Sequence, residues 1–167
     1  GYDVTPLNGK VPILKAWQTR PDSAKDFKKH GNANIGLVCG GTHNIIAVDI
    51  DVKHPGAAAI IRTLTENILG TAPERIGNAP KTLFVFRCSE PFFKVKTAVF
   101  DLEQYGDGCV EVLAEGQQFV ASGKHPDTKK NYSWPDDTLL DCPPDQLTTV
   151  TPEEITEFIS TCNVALG

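Results

Sequence analysis

Long hydrophobic runs are missing from this sequence. Nowhere in its 167 residues does an apolar stretch approach the ~20 residues that a membrane-crossing helix needs, and no signal-peptide pattern opens it. A membrane partner is therefore not expected. Positive charge is also in deficit, since 16 Lys and Arg against 21 Asp and Glu give a formal charge of -5. That excludes a protein that binds nucleic acid over its whole surface, and leaves room for a local basic groove. Cysteine is sparse and unpatterned. Cys39, Cys88, Cys109, Cys142 and Cys162 are odd in number and widely spaced, with no CxxC or Cys/His pair to template zinc. Most lie among apolar neighbours, which points to buried, reduced thiols in a cytosolic protein rather than to a catalytic or redox cysteine. No repeat, low-complexity segment or GxxxxGK[ST] phosphate loop occurs.

What is present has the composition of an ordinary globular domain, 40% hydrophobic and 22% charged, long enough for one core. It opens on Gly1 rather than Met, as a piece of a longer chain would. "VTPLNGKVPILKAWQ" reads as strand, loop and turn. "PDSAKDFKKH" has helix-start chemistry at Asp22 or Ser23, with a short basic helix to follow. "NANIGLVCGGTHNIIAVDIDV" reads as two strands joined around Gly40 and Gly41. "HPGAAAIIRTLTENILG" is the best helix, with Pro55 near its start and Gly70 just past its end. "KTLFVFRC" is a strand by its aromatic and β-branched content. "GDGCVEVLAEGQQFVASG" predicts a hairpin turning at Glu115-Gly116. In "TPEEITEFISTC", Thr151, Pro152 and Glu154 form a capping box for a last helix. Irregular alternation of strands and helices predicts an α+β domain, with mixed sheets flanked by helices, rather than a doubly wound parallel sheet.

One stretch carries chemistry. In "IIAVDID", Ile46, Val48 and Ile50 point to one face of a strand, while Ala47, Asp49 and Asp51 point to the other. Two carboxylates side by side repel each other unless a cation lies between them. The bland alternative is that they close the strand and cap the next helix. Glu111, in "CVEVLA", is a lone acid in an apolar strand, a costly position for an unpaired carboxylate. Were the two strands adjacent, Asp49, Asp51 and Glu111 would form a three-carboxylate set suited to Mg²⁺ or Mn²⁺.

Cationic residues fall in two runs. "ERIGNAPKTLFVFR" holds Arg75, Lys81 and Arg87. "SGKHPDTKKNYSW" holds Ser122, Lys124, His125, Lys129 and Lys130, with Tyr132 and Trp134 able to stack on a base or sugar. Each run alone reads equally as solvated surface. Their position on either side of the acidic strands favours charge neutralisation of a phosphorylated ligand.

The ordered set "PLNGKVPI…W", "NIGLVCG", "AVDID", "RIGNAPKTLFVFR" and "VEVLAEGQQFVASGKHPDTKKNYSW" resembles the bifunctional DNA primase-polymerase (prim-pol) domain of the archaeo-eukaryotic primase superfamily, over about residues 3–135. Such domains stand at the N-terminus of phage and plasmid replication proteins. The resemblance implies an α/β sheet domain with an RRM-like catalytic half, residues 1–150 as that catalytic domain, and 151–167 as a helix closing it or beginning a linker to a helicase. It implies synthesis and extension of primers from nucleoside triphosphates with divalent metal, Mg²⁺ or Mn²⁺. The partners implied are a single-stranded DNA template and a fused or separate replicative helicase, in the cytoplasm of a bacterial or phage-infected cell.

Residue by residue, the resemblance makes Asp49 and Asp51 the hDhD metal ligands and Glu111 the later acid. It places His125 near the nucleotide; from the two cationic runs, Arg75, Lys81, Ser122 and Lys124 are expected at the nucleotide as well, and Lys129, Lys130, Tyr132 and Trp134 at nucleic acid. Lys10 falls in the family's Gly-Lys-x-Pro turn, with a structural role or a phosphate contact open to it. Many relatives carry Gly-Gly-x-His before the third strand, where this chain reads "NAPKTLFVF", and Lys81 is implied to supply the missing positive charge. Two other functions compete. A metal-dependent nuclease would want an acid-x-Lys strand, which "VEVLAE" lacks. A non-catalytic nucleotide- or DNA-binding module fits the absent histidine.

Overall fold

Glycine and the short polar turn "NGK" allow the chain to fold back on itself at once. In the computed structural model, which describes residues 1–19 and 24–167, β1 (Val4–Asn8) pairs antiparallel with β2 (Val11–Pro12) around Gly9, whose φ is +61°. The helix-start residues Asp22 and Ser23 lie outside the described residues. A basic helix, α1 (Ala24–Lys29), follows and ends in Lys28 and Lys29. β3 (Asn34–Val38) returns alongside β1. A short 3₁₀ turn then leads into β4 (Ile45–Asp51), the strand with the paired acids.

α2 (Pro55–Leu69) begins where expected, because Pro55 presets φ at the first turn and His54 Nδ1 accepts the Ala57 N–H at 3.1 Å. It ends at Gly70, whose φ is +94°. The chain continues through β5 (Glu74–Arg75), β6 (Thr82–Cys88), β7 (Val95–Lys96), β8 (Phe100–Asp101), β9 (Asp107–Leu113), β10 (Gln118–Ser122) and β11 (Thr149–Val150). It closes with α3 (Pro152–Leu166). Here Thr151 Oγ1 accepts the Glu154 N–H, and the Glu154 carboxylate accepts the Thr151 N–H at 2.8 Å.

Among the described residues the strands form two sheets. One has the order β10-β3-β1-β2. The other runs β11-β6-β4-β9-β7, with β5 added to β6 and β8 to β9. All pairings are antiparallel except β11 with β6. The architecture is α+β, as the irregular alternation of elements predicts.

The alternation in β4 decides the layering. Ile46, Val48 and Ile50 turn to one face, with Phe84, Phe86, Val110 and Val112, and pack on Ala58 and Ile61 of α2 and Phe158 of α3. α3 buries Ile155, Phe158 and Cys162 completely in that core. On the other face Ala47, Leu83, Val85 and Leu113 meet Leu37 and Phe119 of the first sheet. The larger sheet is thus covered by helices behind and by the smaller sheet in front.

The predicted hairpin at Glu115-Gly116 is corrected by this layering. The turn exists, with Gln117 donating its N–H to Ala114 at 3.0 Å, but β9 and β10 do not pair. β9 already has β4 on one edge and β7 and β8 on the other, so no edge is left for β10. Gly116, at φ +81°, instead passes the chain to the smaller sheet, where β10 pairs with β3. A cleft opens where the chain crosses between sheets.

Candidate active site

Asp49 comes late in β4, on the face turned towards the smaller sheet. Across the ladder its Cα partner is Glu111 of β9, and Asp51, two residues on and on the same face, partners Cys109. All three carboxylates line one cleft of about 290 Å³ between the two sheets, where Leu83, Leu113 and Phe119 form an apolar wall. Facing them are Lys10 from the β1–β2 turn, Arg75 from β5, Gly77, Asn78 and Lys81 from the β5–β6 turn, and His125 and Tyr132 from the loop after β10.

Negative charge is concentrated at the centre. Burial raises the Asp49 pKa above the usual carboxylate value, Asp51 and Glu111 add to the rise, and Arg75 and Lys10 oppose it. The two outer acids have ammonium partners. Lys81 Nζ is 2.5 Å from Asp51 Oδ1, and Lys94 Nζ is 2.9 Å from Glu111 Oε1. Among the described residues, no three Asp, Glu, His or Cys side chains are gathered as a metal-holding group.

The cationic wall is built of interlocked rings. The Arg75 guanidinium stacks 4.7 Å from the Tyr132 ring and donates to the Val120 carbonyl at 2.8 Å. His125 lies against the same tyrosine, with ring centroids 5.3 Å apart. Its Nδ1 accepts the N–H of Asp127 at 3.2 Å and of Thr128 at 3.4 Å, so the proton of the neutral ring sits on Nε2. Burial first, then Lys10, lowers the His125 pKa and keeps it neutral around pH 7. Two buried polar atoms of this wall, Arg75 Nε and the Tyr132 hydroxyl, have no hydrogen-bond partner among the described residues.

Asn34 fixes the roof. Its amide donates to the carbonyls of Gly9 at 3.0 Å and Lys124 at 2.8 Å, and its oxygen accepts the Lys124 N–H at 2.9 Å. One side chain therefore ties the turn bearing Lys10 to the loop bearing His125. Gly123 makes room for it, since a Cβ there would lie 1.9 Å from Asn34 Oδ1.

Of the sequence candidates, the cleft collects Asp49, Asp51, Glu111, Arg75, Lys81, His125 and Tyr132, together with Lys10. Lys124, Lys129 and Lys130 are exposed and do not line it. Ser122 and Trp134 line a separate apolar groove beside Phe27, Leu37 and Leu139, and the Trp134 indole N–H donates to the Ala121 carbonyl at 3.0 Å. Lys94, Asn34 and Gly77 escaped the sequence reading. Lys94 sits in "SEPFFKVK", where a lysine beside one proline, two phenylalanines and a second lysine looks like loop surface, and only the β7–β9 pairing brings it to Glu111.

No curated protein matches the chain. The family described as "Bifunctional DNA primase/polymerase, N-terminal" matches residues 1–153, a span that contains every residue of the cleft. The chain belongs to this Prim-Pol family, whose activity is of the DNA primase/polymerase type and whose members are nucleotidyltransferases.

Proposed function

We propose that the cleft performs template-directed nucleotidyl transfer from nucleoside triphosphates. The 3′-oxygen of a primer or first nucleotide forms a bond to the α-phosphorus, the bond from that phosphorus to the β-phosphate bridging oxygen breaks, and pyrophosphate leaves. The hydroxyl proton goes to solvent. The observation that carries this reading is the pairing of Asp49 with Glu111, beside Asp51, in a cleft also lined by Lys10, Arg75, Lys81 and His125. Acids and cations lining one cleft suit a substrate that carries both a metal ion and a triphosphate.

Divalent metals are general among Prim-Pol nucleotidyltransferases. The donor chemistry suits such an ion: Asp49, Asp51 and Glu111 are hard carboxylate donors lining one cleft, and burial, with two neighbouring acids adding to it, raises the Asp49 pKa, a cost that a cation would relieve. Asp49, Asp51 and Glu111 would hold Mg²⁺ or Mn²⁺, which supplies a lowered pKa for the attacking hydroxyl and charge neutralisation on the phosphates. Arg75, Lys81 and Lys10 hold the triphosphate oxygens. Neutral His125 donates a hydrogen bond from Nε2. Arg75 Nε and the Tyr132 hydroxyl, buried and without a hydrogen-bond partner among the described residues, are polar capacity in this wall that the protein itself leaves unused. Lys124, Lys129, Lys130 and Trp134, outside the cleft, are assigned to the single-stranded template.

The test is primer synthesis and extension with Mg²⁺ or Mn²⁺ and all eight nucleotides. Wild type incorporates label and Asp51→Ala does not, while its circular dichroism is unchanged. Equal incorporation by both would remove the reading. A second reading, a non-catalytic nucleotide-binding module, draws on the lysine partners already held by Asp51 and Glu111. Triphosphate binding without incorporation under every metal would establish it.

A further inference from the structure

We infer that Lys94 is a resident counter-ion of the carboxylate site, exchanging between Glu111 and the substrate's phosphates as a divalent ion binds. The inference rests on the metal assignment above and adds a residue and a coupling to it.

The row of charges across the sheet motivates it. From the turn before β6 to β7 the neighbouring groups run Lys81, Asp51, Asp49, Glu111 and then Lys94 and Lys96, so that acids occupy the two central strands with lysines on both sides; Lys96, the Cα partner of Glu111, is exposed, and Lys94 makes the ion pair. Lys81 immediately precedes Thr82, the partner of Ile50, and thus lies level with Asp51. Lys94 immediately precedes Val95, the partner of Val112, and reaches diagonally to Glu111. The two ammonium groups satisfy the outer carboxylates, and Asp49, between them, has neither.

Two consequences follow. The ammonium 2.9 Å from Glu111 Oε1 occupies one of the two carboxylate oxygens and places a positive charge where an ion would bind, so metal and Lys94 compete for Glu111. Once displaced, Lys94 remains on the cleft wall with its charge unpartnered, and the nearest new anion is the triphosphate. The same residue thereby weakens metal binding alone and strengthens triphosphate binding when metal is present. Lys94 is well placed for this, because its side chain is 37% exposed and has no other ion pair among the described residues, whereas Glu111 is 25% exposed and set in the ladder. A half-exposed pair of this kind is weak enough to exchange.

The experiment uses the full chain and Mn²⁺ alone, titrated with free ion read by electron paramagnetic resonance. Lys94→Met is expected to bind Mn²⁺ about fivefold more tightly than wild type at low salt, with the difference shrinking as KCl is added. In saturating Mn²⁺ the same variant is expected to bind an α,β-imido deoxynucleoside triphosphate about fivefold more weakly. Lys94→Arg restores both values towards wild type. The sign of the first effect is diagnostic, since structural damage near a metal site loosens the ion and does not tighten it. Unchanged or weaker Mn²⁺ binding by Lys94→Met overturns the inference, provided wild type binds Mn²⁺ and Asp49→Asn does not. Tighter Mn²⁺ with unchanged triphosphate affinity overturns the exchange. If neither wild type nor Lys94→Met binds Mn²⁺, the metal assignment itself fails, and this inference with it.

Discussion

Asp49 and Glu111 stand opposite each other in the β4–β9 ladder, one strand's half-buried acid facing the other's. Asp51 extends the same face, so β-sheet geometry lines three carboxylates along one cleft, without gathering them into a metal-holding group among the described residues. The folded state holds the Asp49 proton more tightly than the unfolded chain does, because burial and the two neighbouring acids raise its pKa. Stability from that raised pKa is present below the ordinary carboxylate pKa and is lost as pH rises through the folded value. At neutral pH without metal, the Asp49 carboxyl therefore works against folding. Asp49→Asn is expected to raise the melting temperature at pH 7 in chelator, while lowering primer extension by about 10²–10³-fold. Scanning calorimetry and an extension assay on the same preparation check both. A lower melting temperature would show that the carboxylate is structural.

His125 gives the pH profile of the opposite sign. Burial and Lys10 lower its pKa, so below about 6.5 the unfolded chain takes up a proton that the folded ring refuses. Stability contributed by the neutral ring is present above the unfolded pKa and is lost as pH falls towards the folded one. The slope approaches at most about 1.4 kcal/mol per pH unit, the value for one proton. In His125→Asn an amide oxygen can still accept the Asp127 N–H, and that part of the slope is expected to vanish. Urea titrations between pH 5 and 8 on both proteins measure the difference.

What sequence could and could not reveal divides along a physical line. The faces of β4 and β9 were legible because side chains alternate, and because Asp49 and Glu111 break apolar strands in which carboxylates are costly. Helix ends were legible from local chemistry, as at Thr151 and Glu154 or Pro55 and Gly70. The hairpin was misjudged because a turn specifies reversal of the chain, not which sheet has a free edge to receive it. Lys94 and Asn34 depend on contacts between distant segments, and a lone Lys or Asn carries no periodicity to announce them. The loop "SGKHPDTKKNYSW" supplied His125 and Tyr132 to the cleft, while its exposed lysines share their composition but not their burial.

Asn34 links the two roof segments by three hydrogen bonds, none of which water can replace without entering a nearly buried position. Asn34→Ala is expected to destabilise the domain by about 2–3 kcal/mol. It should also raise KM for nucleoside triphosphate through the loosened Lys10 and His125, with a smaller effect on kcat. Denaturant unfolding and steady-state extension separate these effects. An unchanged KM beside reduced stability would confine Asn34 to folding.

Gly77 is where the cleft tolerates no side chain. A Cβ there would lie 2.4 Å from Tyr132 Cε1 and 2.9 Å from His125 Cδ2, and both rings are buried and cannot swing away. Gly77→Ala is expected to cost about 1–3 kcal/mol through overpacking, and to displace the ring stack that positions Arg75. The origin of the loss can be identified by a cycle with Tyr132→Ala, which vacates the space that the new methyl needs. If the clash with Tyr132 is the cause, the double variant loses less stability than the sum of the single losses, by at least about 0.5 kcal/mol. Additive losses would instead place the requirement for glycine in the turn that carries Asn78 and Lys81.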